Sequence, residues 1–149
     1  MKIAVQSDDF DLSTEVKNIS VNPRVGAVAS FVGVVREVPM TLEHYPGMTE
    51  NSIKKIVEEA RARWQVMDCT VIHRHGALQP GEQIVLVAVA SAHRGDAFAA
   101  CEFIMDYLKT QAPFWKKEHR AGGARWVEAR ASDEQAAGRW EGPARKKAG

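Results

Sequence analysis

The order of apolar periodicities in this 149-residue chain points to a single α+β domain with a largely antiparallel sheet. Two stretches, near 49–64 and 97–108, carry apolar residues at helical spacing. Short runs rich in Val, Ile and Ala lie around them, bounded by Pro-Gly turn signals. No regular alternation of strand and helix is visible, so a parallel, doubly wound sheet is not indicated.

Lys2–Gln6 alternates weakly and reads as a first strand. Val25–Val35, with glycines at 26 and 33, reads as a buried, bent strand. Met40–Tyr45 is a short strand closed by a turn at Pro46-Gly47, after which Thr49 is placed to cap a helix. That helix carries Ile53, Ile56, Val57, Ala60 and Trp64 on one stripe. Cys69–His73 and Gln83–Ala90 are the next two strands, joined through the turn Gln79-Pro-Gly-Glu82. Ser91–Asp96 leads into a second helix with the stripe Ala97, Phe98, Cys101, Ile104, Met105 and Leu108, which Pro113 stops. Arg125–Ala129 resembles a late strand and Ser132–Trp140 a short capped helix. The domain is read as 1–140, with 141–149 a polar tail.

Composition narrows the function. Apolar residues make up 45% and charged residues 26%, the profile of a folded domain able to bury a core. The net charge is only +1, so no global field draws the chain to nucleic acid or membrane, and anion binding must come from local clustering. Met1–Asp9 lacks the apolar run of a signal peptide, and no segment approaches a membrane span. Cys69 and Cys101 show neither disulfide nor zinc spacing, so a reducing cytoplasm is expected.

The candidate chemistry is cationic. His93 and Arg94 precede a helix start, where free N–H groups, the helix dipole and a guanidinium fork would meet an anion; the plain alternative is a solvated surface pair. Lys109 falls one turn after Met105, at the rim of the apolar stripe. Partial desolvation there would ease loss of its proton and fit it as nucleophile, acid or base, or as partner of an acyl anion. A lysine whose stem merely covers the core edge is the competing reading. The stiff Ala112-Pro-Phe-Trp115 segment reads as an apolar wall that fixes Lys116 relative to Lys109. Arg36 ends a strand in which Gly33 permits close approach of another group. Arg125 and Arg130 bracket the late strand. Both cysteines read as small buried hydrophobes. His73 and His75 alternate in a strand but lack a third ligand, so no metal is expected. The chain has no GxGxxG, GxxxxGK[ST], GxSxG or HExxH. An activated atom would therefore have to arrive on a substrate.

Six segments carry a family resemblance. They are Phe31-Val-Gly-Val-Val-Arg36, Thr41-Leu-Glu-His-Tyr-Pro-Gly-Met48, Val71-Ile-His-Arg-His-Gly76, Ser91-Ala-His-Arg94, the run from Phe103 to Glu118, and Arg125-Trp-Val-Glu-Ala-Arg130. Together they resemble the large, catalytic subunit of molybdopterin synthase, in order from about Gly26 to Trp140. The 103–118 run is the most specific.

The resemblance implies an α/β hammerhead fold and a homodimeric core that binds a small ubiquitin-like sulfur-carrier subunit at each end, giving a heterotetramer. The carrier's Gly-Gly tail, activated as a thiocarboxylate, would enter the large subunit. Two such sulfurs would convert cyclic pyranopterin monophosphate (precursor Z) into the molybdopterin dithiolene. By motif position, Lys109 and Lys116 match catalytic lysines, while Arg36, His93 and Arg94 match substrate-binding positions. The backbone of Val34, Val35, Arg36, Lys117 and Glu118 would line the site, with Phe31 and Met105 as apolar walls. Arg130 matches an arginine reaching over from the dimer mate. No metal, nucleotide or other cofactor is implied. Only Glu37-Val-Pro-Met40 stands between Arg36 and Thr41, where the family usually has a longer polar loop: either a trimmed loop or a stretch missing from the sequence in hand. A non-catalytic scaffold of the same fold, holding a pterin phosphate or a ubiquitin-like tail, is the alternative. Retention of two titratable lysines, where arginine would keep the charge, speaks against it.

Overall fold

The computed structural model describes residues 1–127 and 131–141; Glu128–Arg130 and the tail beyond Glu141 lie outside the described residues. In chain order the elements are β1 (Lys2–Gln6), α1 (Leu12–Ile19), β2 (Ala27–Val34), β3 (Met40–His44), α2 (Met48–Arg63) and β4 (Asp68–Arg74). They continue with β5 (Gly76–Leu78), β6 (Gln83–Ser91), α3 (Arg94–Leu108), β7 (Phe114–Arg120), β8 (Gly123–Val127) and α4 (Ala131–Gly138).

Two four-stranded sheets result. The first runs β1-β4-β6-β2 and the second β5-β3-β7-β8. Every pairing is antiparallel except β1 with β4, so the expected α+β class holds with one parallel exception. Alternation along β6 sorts the first sheet's faces. Val85, Val87 and Val89 pack with Ile53, Ile56, Val57 and Ala60 of α2 and with Ala97, Ala100, Phe103 and Ile104 of α3. Leu86, Ala88 and Ala90 pack with Phe10 and Ile19 around α1 on the other face. Val35, Met40, Leu42 and Leu78 form a third cluster in which the second sheet takes part.

Several local expectations are corrected. Gly47, not Thr49, caps α2: it takes φ +84°, open to glycine, and its N–H donates to the Glu50 carboxylate. Thr49 is fully buried one residue inside the helix, where its hydroxyl accepts from the Tyr45 N–H and donates to the Pro113 carbonyl. Phe98 leaves the predicted stripe and is 65% exposed, while Phe103 and Tyr107 are buried instead, because α3 packs against both the sheet and α2. The Pro113-Phe-Trp segment is the entry to strand β7 rather than a separate apolar wall. Gly33 makes room for a neighbouring strand rather than for a ligand, since a Cβ there would sit 2.7 Å from Val85 Cγ1.

Val34 and Met40 are joined by the short connection 35–39. Val35 exchanges two backbone hydrogen bonds with the 81–82 turn, to the Glu82 carbonyl and from the Gly81 N–H. The Val38 N–H then reaches the Arg36 carbonyl at 2.8 Å, with Glu37 at φ +70° between them. A non-glycine residue held there costs on the order of 1 kcal/mol, so the surrounding bonds over-determine the turn.

Candidate active site

The site is assembled by sheet register. His73 of β4 pairs with Val85 of β6, and Val85 pairs with Gly33 of β2, so one row crosses the first sheet and ends three residues short of Arg36. β7 meets this row from the second sheet. Its Phe114 ring lies flat on His73, with centroids 3.7 Å apart and planes 19° off parallel. Lys109 caps the C-terminus of α3 and is close enough for its charge to oppose protonation of His73.

Strand alternation then separates the neighbouring lysines of β7. Lys116 pairs with Leu42, and Glu118 with Met40, so both share a face with Phe114 and the buried side of β3. Lys117 points to the opposite face, where its ammonium lies 5.3 Å from the Trp126 ring centre. Trp115 is exposed on that outer face beside Tyr45. Lys116 Nζ is 3.8 Å from Glu118 Oε1, and Arg120 holds the other carboxylate oxygen at 2.8 Å. The carboxylate is therefore shared, leaving Lys116 attraction for a further anion.

The predicted residues divide into two groups. Arg36, Lys109 and Lys116 come to one end of the first sheet, with Phe31 exposed on its edge strand and Met105 buried one turn before Lys109. Val34 is exposed there, whereas Val35 turns inward with its backbone already bonded. His93 and Arg94 lie at the other end, beyond the Ala27–Ser91 pair. The 15 residues of α3 put about 22 Å between them and Lys109. Both are exposed, His93 makes no side-chain cap, and the Asp96 carboxylate already occupies the first turn. Lys109 itself is exposed in the single chain rather than half-buried. Arg130 lies outside the described residues.

The cysteines are inert: both are buried, and burial pushes the Cys69 thiol up to about 12 and the Cys101 thiol to about 11. Among the described residues no cluster of His, Cys, Asp and Glu could hold a metal.

His73 was read only as half of a weak metal pair, yet it is the residue on which the Phe114 ring of β7 stacks. Val71 and Cys69, two and four positions earlier, face the α2/α3 core, and that alternation is the signal that places His73 on the same side. Burial, then the charge of Lys109 and of His44 and His75, drives its pKa down to about 4. An unfolded histidine takes up its proton near pH 6.5, so the folded chain loses stability as pH falls from about 6.5 to 4. The expected loss is on the order of 2–3 kcal/mol, with His75, lowered mainly by burial, adding in the same direction. Urea unfolding at pH 7 and pH 4.5 measures it, and a His73→Phe variant should show a visibly flatter dependence.

The geometry defines a class: a two-sheet α+β protein with lysines and an arginine toward one end of the first sheet and both cysteine thiols buried. The profile described as MoaE protein matches residues 5–111. The molybdopterin synthase catalytic subunit of Ralstonia nicotianae is 59% identical over 146 residues, covering 93% of this chain and 83% of that protein. The Escherichia coli protein of the same name is 53% identical, covering 93% and 97%. The structure of the molybdopterin biosynthesis MoaE protein from Burkholderia ambifaria superposes with a TM-score of 0.83 at 55% identity, covering 95% of this chain and 99% of that one. A chain in a complex of subunits 1 and 2 of the molybdopterin-converting factor from Helicobacter pylori shares the fold, with a TM-score of 0.70 at 21% identity over 87% and 90% of the two chains. The chain belongs to the MoaE family.

Proposed function

We infer that this chain is the catalytic subunit of a molybdopterin synthase. It transfers sulfur from the thiocarboxylated C-terminal glycine of a small ubiquitin-like carrier to cyclic pyranopterin monophosphate, forming the dithiolene of molybdopterin. The observation that carries this reading is topological: Arg36 follows the end of β2 and Lys109 the end of α3 at the same end of the first sheet, and Lys116 shares a face of β7 with Phe114, which stacks on His73. A carrier terminus and a cyclic phosphate are both anions, and paired cations offset the several kcal/mol that desolvating each would cost. Lys109 serves the acyl terminus by electrostatic pairing and proton transfer, Lys116 assists across Phe114, and Arg36 holds the phosphate. The raised pKa values of both cysteines fit sulfur that arrives with the partner.

The two-subunit Helicobacter pylori complex supports a small protein partner. The separation of His93 and Arg94 from Lys109 supports a homodimer, since a second copy can bring that pair to a site its own chain cannot reach. A heterotetramer follows, with a pterin phosphate as substrate and no resident metal or nucleotide. Cytoplasmic location goes with this reading; among the described residues no helix is long and apolar enough to cross a membrane.

The test is reconstitution of the chain with thiocarboxylated carrier and precursor, reading dithiolene formation. A carrier lacking its two terminal glycines should bind weakly and transfer nothing. Full transfer from it would overturn the inserted-tail picture.

A further inference from the structure

Lys116, Glu118 and Arg120 follow one another at two-residue spacing on the face of β7 that carries Phe114. The two cations hold the carboxylate in different ways. Arg120 donates twice to one oxygen, with Nε at 3.0 Å and Nη2 at 2.8 Å from Glu118 Oε2. Lys116 Nζ stands 3.8 Å from the other oxygen, Oε1, within Coulomb reach but beyond hydrogen-bond length. The Glu118 side chain is only 14% exposed, so its charge is offset chiefly by protein cations rather than by water. An ammonium left alone with a carboxylate closes to about 2.8 Å. The stand-off at Lys116 marks a carboxylate already engaged on its far side.

The backbone beneath Arg120 is anchored. His119 donates its N–H to the Pro39 carbonyl at 2.9 Å, and its Nε2 lies 2.8 Å from Thr41 Oγ1. Arg120 itself pairs with Gly123 at the end of the β7–β8 hairpin. Around Lys116, β3 contributes Leu42 in register and His44 two residues on, while β8 contributes Val127 and sets Arg125 opposite Glu118.

We propose that Arg120 is a positioning residue for Lys116: by engaging Glu118 from the hairpin end, it keeps the lysine ammonium attracted to that carboxylate but not bonded to it, with its donors left for an incoming anion. The catalytic consequence rests on the functional reading above; the geometry does not. A guanidinium suits the task because it is always charged and presents its donors as a fixed fork. Without it the full charge of Glu118 would fall on Lys116, which would close the gap and be drawn off the carrier's terminus.

Two measurements on the full chain decide the matter. Lysine-selective proton–nitrogen spectra at pH 6 can detect coupling through a hydrogen bond from Lys116 Nζ to the Glu118 carboxylate carbon. That coupling should be absent in the wild type and in Arg120→Lys, and should appear in Arg120→Gln. Spectra that are the same in the wild type and Arg120→Gln would overturn the proposal whether or not the chain transfers sulfur. In the reconstituted reaction, Arg120→Gln should lose kcat by roughly three- to tenfold with KM for the precursor within about twofold, and Arg120→Lys should stay within about twofold of wild type. In a Lys116→Ala background, Arg120→Gln should change nothing further. Wild-type kcat in Arg120→Gln, or the same fold loss with Lys116 already removed, would refute the positioning role. Should thermal unfolding show Arg120→Gln unfolded, Arg120→Met, which keeps an apolar stem, takes its place in each comparison. Absence of transfer by the wild-type chain would fault the functional reading and leave the spectroscopic result standing.

Discussion

Lys109→Ala is expected to abolish sulfur transfer while the fold survives. The residue is exposed at the end of α3, and its backbone N–H reaches the Met105 carbonyl at 3.2 Å. Alanine keeps that bond and has the better helix propensity. The amine is what disappears, together with its charge on the anionic terminus and its proton-transfer capacity. Loss of a positioned acid–base group costs about 10²–10⁴ in rate, and loss of charge pairing with the anionic terminus adds to that. Single-turnover dithiolene formation, followed beside thermal unfolding, separates catalysis from folding. Lys116→Ala should be milder, because Glu118 and Arg120 continue to organise that part of β7. Turnover of Lys109→Ala at the wild-type rate would remove the lysine from the mechanism.

Phe103→Ala is expected to give the largest loss of stability for a single side chain. Its ring is 1% exposed and sits between α2 and the C-terminal segment. Trp64 and Trp140 meet it edge-on at 5.4 and 5.6 Å, Tyr107 lies at 4.7 Å, and the Arg63 guanidinium covers it at 4.9 Å. Truncating a buried phenylalanine costs about 3–5 kcal/mol, and this site cannot collapse without moving two tryptophans. Trp140 is also fixed by its indole N–H on Asp106 at 2.7 Å, and Arg139 bonds the same carboxylate at 2.8 Å. Loss of the ring should therefore loosen α4 first. Urea unfolding read by tryptophan fluorescence checks this, and a change below about 1 kcal/mol would contradict the packing account.

The two long helices and most strands were readable because their apolar residues keep one period and face one core. What escaped lacked that property. α1 has only Leu12, Val16 and Ile19 as apolar residues in its eight, and its start rests on the Asp11 side chain accepting from the Thr14 N–H. β5 is three residues long. β7 is the instructive case: its alternation is regular, but the inward set Phe114, Lys116 and Glu118 is mostly charged, while Trp115 points out. A strand whose inward set is mostly charged inverts the usual pattern, so it read as a wall between two lysines rather than as a strand. The spacing of Lys109 and Lys116 about an aromatic segment was visible in the sequence, but not that Lys109 is exposed in the single chain. The distance of His93 and Arg94 from Lys109 was not, because it depends on the antiparallel course of β2, β6 and α3.

The tight bend at Arg36–Val38 has a mechanical consequence. Pro39 follows at once, and its carbonyl is taken by the His119 N–H at 2.9 Å, so both layers are stitched together within a handful of residues. Such a seam has no slack to swing over a fused-ring substrate as a flap. Enclosure of the reactants in this protein must be supplied from outside the seam, by the guest peptide acting as its own stopper or by the neighbouring copy.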